Sequence, residues 1–416
     1  MDREIFVYID LHGQPVFVGR LWSRSRKGRD SASFEYDATW LNHSERFALE
    51  PALTLTPGPF HTPADKALFG AIGDSAPDRW GRILMRRVER RRSLREQETP
   101  RTLSETDFLL LVDDEARQGA LRFALKKGSP FVAPPGSIRI PPLVELPRLL
   151  SAAWRVSNEE EDDEDLRLLL APGSSLGGAR PKASIRDKDG YLAIAKFPHR
   201  EDGWSIVRWE GVALSLAARA GILIPPWRIE EIGGKPVLII RRFDRISGER
   251  VPFLSAMSML GAADNESHSY LEIADALRQH GAASRQDLVQ LWRRIVFGVL
   301  ISNTDDHLRN HGFLYADNTG WRLSPAYDLN PVPVDVRPRV LSTSIGQDDP
   351  TASIDIALEH AASFGLAAPD AKRIAKEIST IVAGWQEEAS QLGITSRERD
   401  RMASAFEHED IRRAHG

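Results

Sequence analysis

The densest run of residues able to do chemistry is Asn303-Thr304-Asp305-Asp306-His307-Leu308-Arg309-Asn310-His311. It directly follows an apolar stretch, 291–301, and polar groups at the end of a core helix need partners. Asp305 and Asn310 stand as Asp-x-x-x-x-Asn, the spacing in which phosphoryl-transfer enzymes set a proton-accepting carboxylate and a magnesium-binding amide. Asp328 closes Ser324-Pro325-Ala326-Tyr327-Asp328 after an expected hairpin of 312–315 and 321–323, and it supplies a second hard oxygen ligand. Upstream, Lys196 sits in an apolar strand, 191–197, where an ammonium is costly without an anion. Glu210, on an expected helix over 205–220, offers a carboxylate to pair with it. The run 173–182, rich in Gly and Ser, lets backbone amides approach phosphate oxygens, although it fits neither Gly-x-Gly-x-x-Gly nor the Walker pattern.

Several elements must position these groups. An amino-terminal hairpin is expected from 5–9 and 16–18 around His12-Gly13-Gln14-Pro15. A helix is expected to begin at Asp74-Ser75-Ala76-Pro77-Asp78, with Trp80, Ile83, Leu84 and Val88 on one stripe. Its other faces carry eight Arg between 79 and 95, read as a solvated face or a surface for an acidic partner. Residues 129–147, rich in Pro and Gly, read as a linker or an extended edge segment, and the seven consecutive carboxylates 159–165 as an exposed, mobile run. Strands 183–186 and 191–197 form a hairpin across Asp187-Lys188-Asp189-Gly190, and 227–231 with 236–241 form another. From about 252 onward helices dominate. The resulting division is 1–128, 129–245 and 246–416.

Composition narrows the chemistry. There is no cysteine, so disulfides, thiol nucleophiles and Cys-type zinc sites are excluded. Lys plus Arg is 55 against 59 Asp plus Glu, a formal net charge of −4 that argues against a nucleic-acid coat or a polybasic membrane binder. The total conceals two opposed blocks: residues 79–95 carry eight Arg and one Glu, while 159–165 carry seven acids. No signal peptide and no apolar stretch of about 20 residues is visible, so a cytoplasmic location without membrane contact is expected.

The ordered set Ser-Leu-Gly-Gly-Ala-Arg-Pro-Lys (175–182), Ala-Lys-Phe-Pro (195–198), Arg-Arg-Phe-Asp-Arg (241–245), Asn-Thr-Asp-Asp-His-Leu-Arg-Asn (303–310) and Pro-Ala-Tyr-Asp-Leu (325–329) resembles the HipA family. These are serine/threonine kinases acting as toxins of bacterial type II toxin–antitoxin systems. Gly-Asp-Ser-Ala-Pro-Asp-Arg-Trp-Gly (73–81) is similar to part of that family's amino-terminal subdomain. The resemblance implies an α+β, bilobal protein-kinase-like fold with a strand-rich N-lobe, an extra N-terminal subdomain and a mainly helical C-lobe. It implies Asp305 as catalytic base, with Asn310 and Asp328 holding Mg2+. Gly177, Gly178, Ala179, Arg180 and Lys182 would form the phosphate loop for ATP, with Lys196 and His307 near the phosphates. Arg241, Arg242 and Phe243 would make the adenine-side hinge, and Tyr327 would border the nucleotide. Ser175, or Ser174 beside it, matches the serine that such kinases autophosphorylate to switch themselves off. A phosphate there would add about −2 charge where ATP phosphates must sit. The implied partners are a protein substrate, plausibly an aminoacyl-tRNA synthetase or other translation component, and a HipB-like DNA-binding antitoxin through which DNA is reached indirectly.

Three other readings share these residues. A metal-dependent hydrolase would use Asp306, His307 and His311, the histidines lying at the i,i+4 spacing of a helical metal pair. A small-molecule phosphotransferase of kinase-like fold would keep the same Asp and Asn. A module that binds an antitoxin without toxicity would need neither.

Overall fold

Ile5, Val7 and Ile9 are buried and alternate with more exposed neighbours along β1 (Arg3–Leu11), the period-two pattern of a strand with one face on a core. The computed structural model describes residues 2–26, 29–133, 140–170, 178–316, 319–347 and 349–416. β1 pairs antiparallel with β2 (Gln14–Arg26) across His12-Gly13, both at positive φ (51° and 75°), the backbone a two-residue hairpin turn requires. With β3 (Arg29–Tyr36), β4 (Pro59–His61) and β5 (Leu121–Ala124) they form a sheet in the order β4-β3-β2-β1-β5.

Contacts divide the chain into two units, 1–201 with 230–254 and 202–229 with 255–416. This grouping differs from expected boundaries at 128/129 and 245/246, for a physical reason seen in the first unit. There α1 (Arg79–Glu96), α2 (Leu146–Ser157) and α3 (Asp163–Leu170) pack with a second sheet of β6 (Lys182–Arg186), β7 (Leu192–Lys196), β8 (Trp227–Ile232) and β9 (Lys235–Arg241), in the order β6-β7-β9-β8. Trp80 and Leu84 of α1, Leu149 of α2 and Leu169 of α3 share one core with Ala183, Ile185, Ala195 and Ile239. A core of this kind joins the amino-terminal segment to the strand-rich segment, so the two cannot separate without exposing it.

Two sequence expectations are corrected here. The Pro/Gly-rich segment lies beside β6 at Pro141-Pro142, where Arg186 N donates to Pro141 O at 2.9 Å, but it does not run to residue 147: α2 begins at Leu146, with Pro147 in its first turn where the missing N–H costs nothing. Nor is the acidic run wholly solvated: Glu159, Glu160, Asp162 and Glu164 are exposed as expected, but Glu161, Asp163 and Asp165 are engaged by the fold. Arg87 Nη1 meets Glu161 Oε2 at 2.6 Å, Arg91 Nη1 meets Asp163 Oδ1 at 3.3 Å and Arg95 Nη1 meets Asp163 Oδ2 at 3.7 Å. Arg91 Nη2 also donates to Glu161 O, and Arg155 Nε to Asp165 Oδ2 at 2.6 Å. The basic face of α1 is thus largely turned to the chain's own acids.

In the second unit, α4 (Ile206–Arg219) seats Trp209 beside Trp385 and Phe406, with Trp209 Nε1 donating to Glu398 Oε1 at 2.9 Å. α5 (Tyr270–His280) and α6 (Ser284–Leu300) precede the polar run. α6 buries Leu291, Trp292, Ile295, Val296 and Phe297, an apolar surround that fixes where the loop after it emerges. The expected hairpin is β10 (Gly312–Ala316) with β11 (Gly320–Leu323). Among the described residues, no helix is long and apolar enough to cross a membrane.

Candidate active site

The loop after α6 is held from below by its own buried residues. Asn303 and Thr304 are 1% exposed, and Asn303 Oδ1 accepts from Asn330 N at 3.0 Å. Asp305 stands out of the loop with its carboxylate 62% exposed, where Arg337 Nη1 meets Oδ1 at 2.8 Å and Ser342 Oγ donates to it at 3.4 Å. Asn310 Nδ2 donates to Asp305 O at 3.1 Å, which leaves its Oδ1 as the amide's acceptor. Asp328 has φ 59°, a left-handed conformation uncommon for a residue with a Cβ, though Asp adopts it more readily than most. Asn330 Nδ2 donates to Asp328 Oδ1 at 3.3 Å, and Tyr327 OH donates to Arg309 O at 2.7 Å. Two cross-links, Asn330 to Asn303 and Tyr327 to Arg309, therefore pin the Asp328 segment to the loop bearing Asp305 and Asn310. An amide oxygen and a carboxylate on these pinned segments are the hard donors Mg2+ takes, so this donor set fits that ion. Arg337, Ser342 and Asn330 were not singled out in the sequence, because nothing in their spacing links them to Asp305.

The hydrolase cluster does not assemble. Asp306 and His311 are buried and face each other, His311 Nε2 lying 3.1 Å from Asp306 Oδ2, and Tyr270 OH donates to the same oxygen at 2.5 Å. Burial opposes charge on Asp306, but His311 and Tyr270 hold its carboxyl below the usual range. Among the described residues, no group of three or more His, Cys, Asp or Glu could hold a metal ion. This trio braces the loop instead.

In the first unit, the structure gives two expected nucleotide contacts other work. Lys182 is 1% exposed, and its Nζ donates to Asp78 Oδ2 at 2.7 Å and to Gly178 O at 3.0 Å. Asp78 caps α1 by accepting from Gly81 N at 2.8 Å, while Trp80 Nε1 donates to Lys182 O at 2.9 Å. Burial pushes the Asp78 carboxyl up, and the Lys182 ammonium counters that push. The Arg242 side chain is fully enclosed: it donates to Asp244 at 2.9 and 2.6 Å and to the carbonyls of Ala116 and Arg117. Asp244 also accepts from Arg245 Nη1 at 2.8 Å and Gly119 N at 2.8 Å; burial opposes its charge, yet the two guanidiniums hold it far below the usual range. A side chain so occupied cannot face adenine without breaking that network.

The other candidates are placed as follows. Lys196 ends β7 opposite Lys182 in the ladder, half-buried; two cations so paired need anions nearby, and Asp78 serves one. Glu210 is 2% exposed on α4. Gly178, Ala179 and Arg180 are exposed, with Gly178 at φ 86° and open space around it. The Arg241 guanidinium lies 3.2 Å over the Tyr191 ring, and Phe243 packs 6.3 Å from Phe253. His307 is half-buried, and its Nδ1 has no hydrogen-bond partner. Ser174, Ser175 and Gly177 lie outside the described residues.

Comparison with known proteins matches two family models to this chain. Residues 9–112 match the HipA N-terminal domain and residues 174–385 the HipA-like C-terminal domain. A Haemophilus influenzae protein named "Putative kinase" is 26% identical over 196 residues, 42% of this chain and 56% of its own length. The Sinorhizobium fredii "Putative kinase Y4mE" is 26% identical over 181 residues, 37% of this chain and 41% of its own length. These matches span only about half of those relatives. In three dimensions the chain is similar to HipA of Shewanella oneidensis MR-1, solved with HipB and its operator DNA, at a TM-score of 0.65, 16% identity, 97% of this chain and 95% of that one. That likeness establishes the α+β, kinase-like fold, and with the C-terminal domain matched over half of the chain, this protein belongs to the HipA family.

Proposed function

We propose that this protein is an ATP-dependent serine/threonine protein kinase of the HipA toxin type. The observation that carries the reading is the pinning of Asp328 to the Asp305–Asn310 loop through Asn330 and Tyr327. Asp305 is the proton acceptor: a substrate hydroxyl oxygen bonds to the γ-phosphorus, the bond to the bridging oxygen of ADP breaks, and the hydroxyl proton goes to Asp305. Asn310 Oδ1 and Asp328 would hold Mg2+, which when bound neutralises phosphate charge. Lys196 would meet the phosphates, together with Gly177 to Arg180 and His307. Arg241 and Phe243 would flank adenine. Lys182 and the Arg242 side chain act from behind, as parts of the scaffold. Ser175 is the proposed autophosphorylation site, and a HipB-like antitoxin the proposed partner, an assembly the Shewanella oneidensis relative makes.

Incubation of purified protein with [γ-32P]ATP and Mg2+ tests the reading. Label should enter the wild-type chain and be absent from Asp305→Asn and Asp328→Asn, each with an unchanged melting profile. Ser175→Ala should lose the principal labelled peptide. Near-wild-type labelling of either Asp variant would refute the assigned roles, and phosphate mapped elsewhere would refute Ser175. A phosphoproteome comparison between cells expressing wild type and Asp305→Asn would identify the protein substrate and separate this reading from a small-molecule phosphotransferase.

A further inference from the structure

Beside the first turn of α6 lies a cavity of about 680 Å³ whose wall includes Arg285, Asp287, Arg294, Arg322, Leu223 and Leu323. Its charges are unequally matched. Asp287 accepts from Arg322 Nε at 2.8 Å, Arg322 Nη2 at 3.0 Å and Leu323 N at 3.1 Å, so that pair makes a neutral wall. Two cations remain. Arg285 is exposed on the first turn and has no carboxylate partner among the described residues. Arg294 is 5% exposed; its Nη2 donates to Ser324 O, while Nε and Nη1 have no acceptor. The Asp306 oxygen nearest in charge is already shared by Tyr270 and His311. Burial pushes the Arg294 guanidinium down to about 10, so it stays charged at neutral pH.

A buried cation with unused donors is costly, and such groups are rare in native proteins unless water or a ligand completes them. The first turn of α6 adds the positive end of a 17-residue helix to the same space. Leu223, 56% exposed, and Leu323 supply an apolar side. A bare phosphate or carboxylate would fill only a fraction of this volume, which is in the range of sites for organic ligands.

We propose that this cavity is a binding site for a small organic anion, a phosphate or carboxylate group on an apolar body, gripped by Arg285 and Arg294 with its body against Leu223 and Leu323. The wall is bonded to the segment leading to Asp328: Leu223 O accepts from Ala326 N at 2.8 Å, and Arg294 donates to Ser324 O. Occupancy would thus brace that segment from behind, without touching Asp305.

Isothermal titration of the full chain with phenyl phosphate and with inorganic phosphate tests the proposal. Phenyl phosphate should bind, and at least about tenfold more tightly than inorganic phosphate because only it covers the apolar side. Arg285→Glu should weaken phenyl phosphate by about tenfold or more, the worth of one charge-assisted contact. Arg285→Gln should fall between, and Arg79→Glu, an exposed arginine on α1, should bind like wild type. Arg285 is exposed, so its variants should melt as wild type does. No binding by wild type would overturn the proposal. So would undiminished binding by Arg285→Glu, which would place the ligand elsewhere, including at the candidate active site. Equal affinity for the two probes would overturn the apolar half.

Discussion

Replacing Lys182 with Met separates a scaffold lysine from a phosphate-binding one. The Nζ lies 2.7 Å from Asp78 Oδ2, with the two side chains 1% and 10% exposed. Met matches the stem's volume but leaves the Asp78 carboxylate enclosed with backbone N–H groups, of Gly81 and Trp80, in place of a cation. Breaking one side of a buried ion pair costs about 3–5 kcal/mol, mostly the penalty of the stranded charge. For a unit of this size each kcal/mol lowers the melting temperature by roughly 2–4 °C, so a fall on the order of 10 °C is expected. Asp78→Asn in the Lys182→Met background removes the stranded charge, keeps an N-cap oxygen and should recover at least about half of the loss. Urea unfolding of the four proteins, with KM for ATP measured alongside, closes the cycle. A Lys182→Met chain that melts like wild type, gains nothing from Asp78→Asn and shows only a raised KM for ATP would refute the scaffold role.

The pairing of α1 with the acidic run predicts that Arg87→Glu costs about 1–2 kcal/mol at low salt, since it loses a partly buried pair and adds repulsion from Glu159 and Glu161. Glu161→Arg added to Arg87→Glu should restore most of that loss, and 0.5 M NaCl should shrink the effect; urea midpoints measure both. His408 predicts a pH dependence. Burial, with Arg339 adding to it, pushes its imidazole down to about 4. The unfolded chain takes up this proton near pH 6.5 while the folded chain resists it until about pH 4, so the stabilisation is whole above 6.5 and is lost as pH falls between those values. The loss is roughly 2–3 kcal/mol, and His408→Asn should flatten that part of the stability curve.

What could be read from the sequence depended on whether the determining contacts were local. Asp305 and Asn310 lie in one short loop, so their spacing alone marked them as neighbours, and the Asn310 amide does bond to the Asp305 carbonyl. The hairpin that presents Asp328 was legible from turn residues and alternation. The bond of Lys182 to Asp78 was not legible, because the two residues lie 104 positions apart and no spacing rule links them. Arg-Arg-Phe-Asp-Arg looked like a surface that meets ligand, yet Arg242 and Arg245 turn inward to the carbonyls of 115–119 and Asp244 to the Gly119 N–H, contacts no spacing rule could anticipate. The basic and acidic blocks were visible as sums. Their facing each other was not, because net charge carries no geometry.

That pairing also changes what the amino-terminal segment is. Residues 9–112, matched to the HipA N-terminal domain, contain α1. At one end α1 holds Lys182 through Asp78 and Gly178 O through Trp80 N at 3.4 Å; farther along it holds the approach to α3 through Arg87 and Arg91. These anchor points fall on both sides of residues 171–177, the stretch in which Ser174 and Ser175 lie. Each is a contact of modest strength at the surface or a costly one to break inside, and they act together because one helix carries them all. Trp80 and Leu84 of the same helix belong to the core behind β6 and β7. Removing the segment would strand the Lys182 ammonium, expose that core and release Glu159, Glu161 and Asp163 from their arginines at once. It follows that the segment is part of what shapes the strand-rich half of the candidate kinase, and that a partner gripping α1 would act on the flanks of the serine-bearing stretch through contacts already in place.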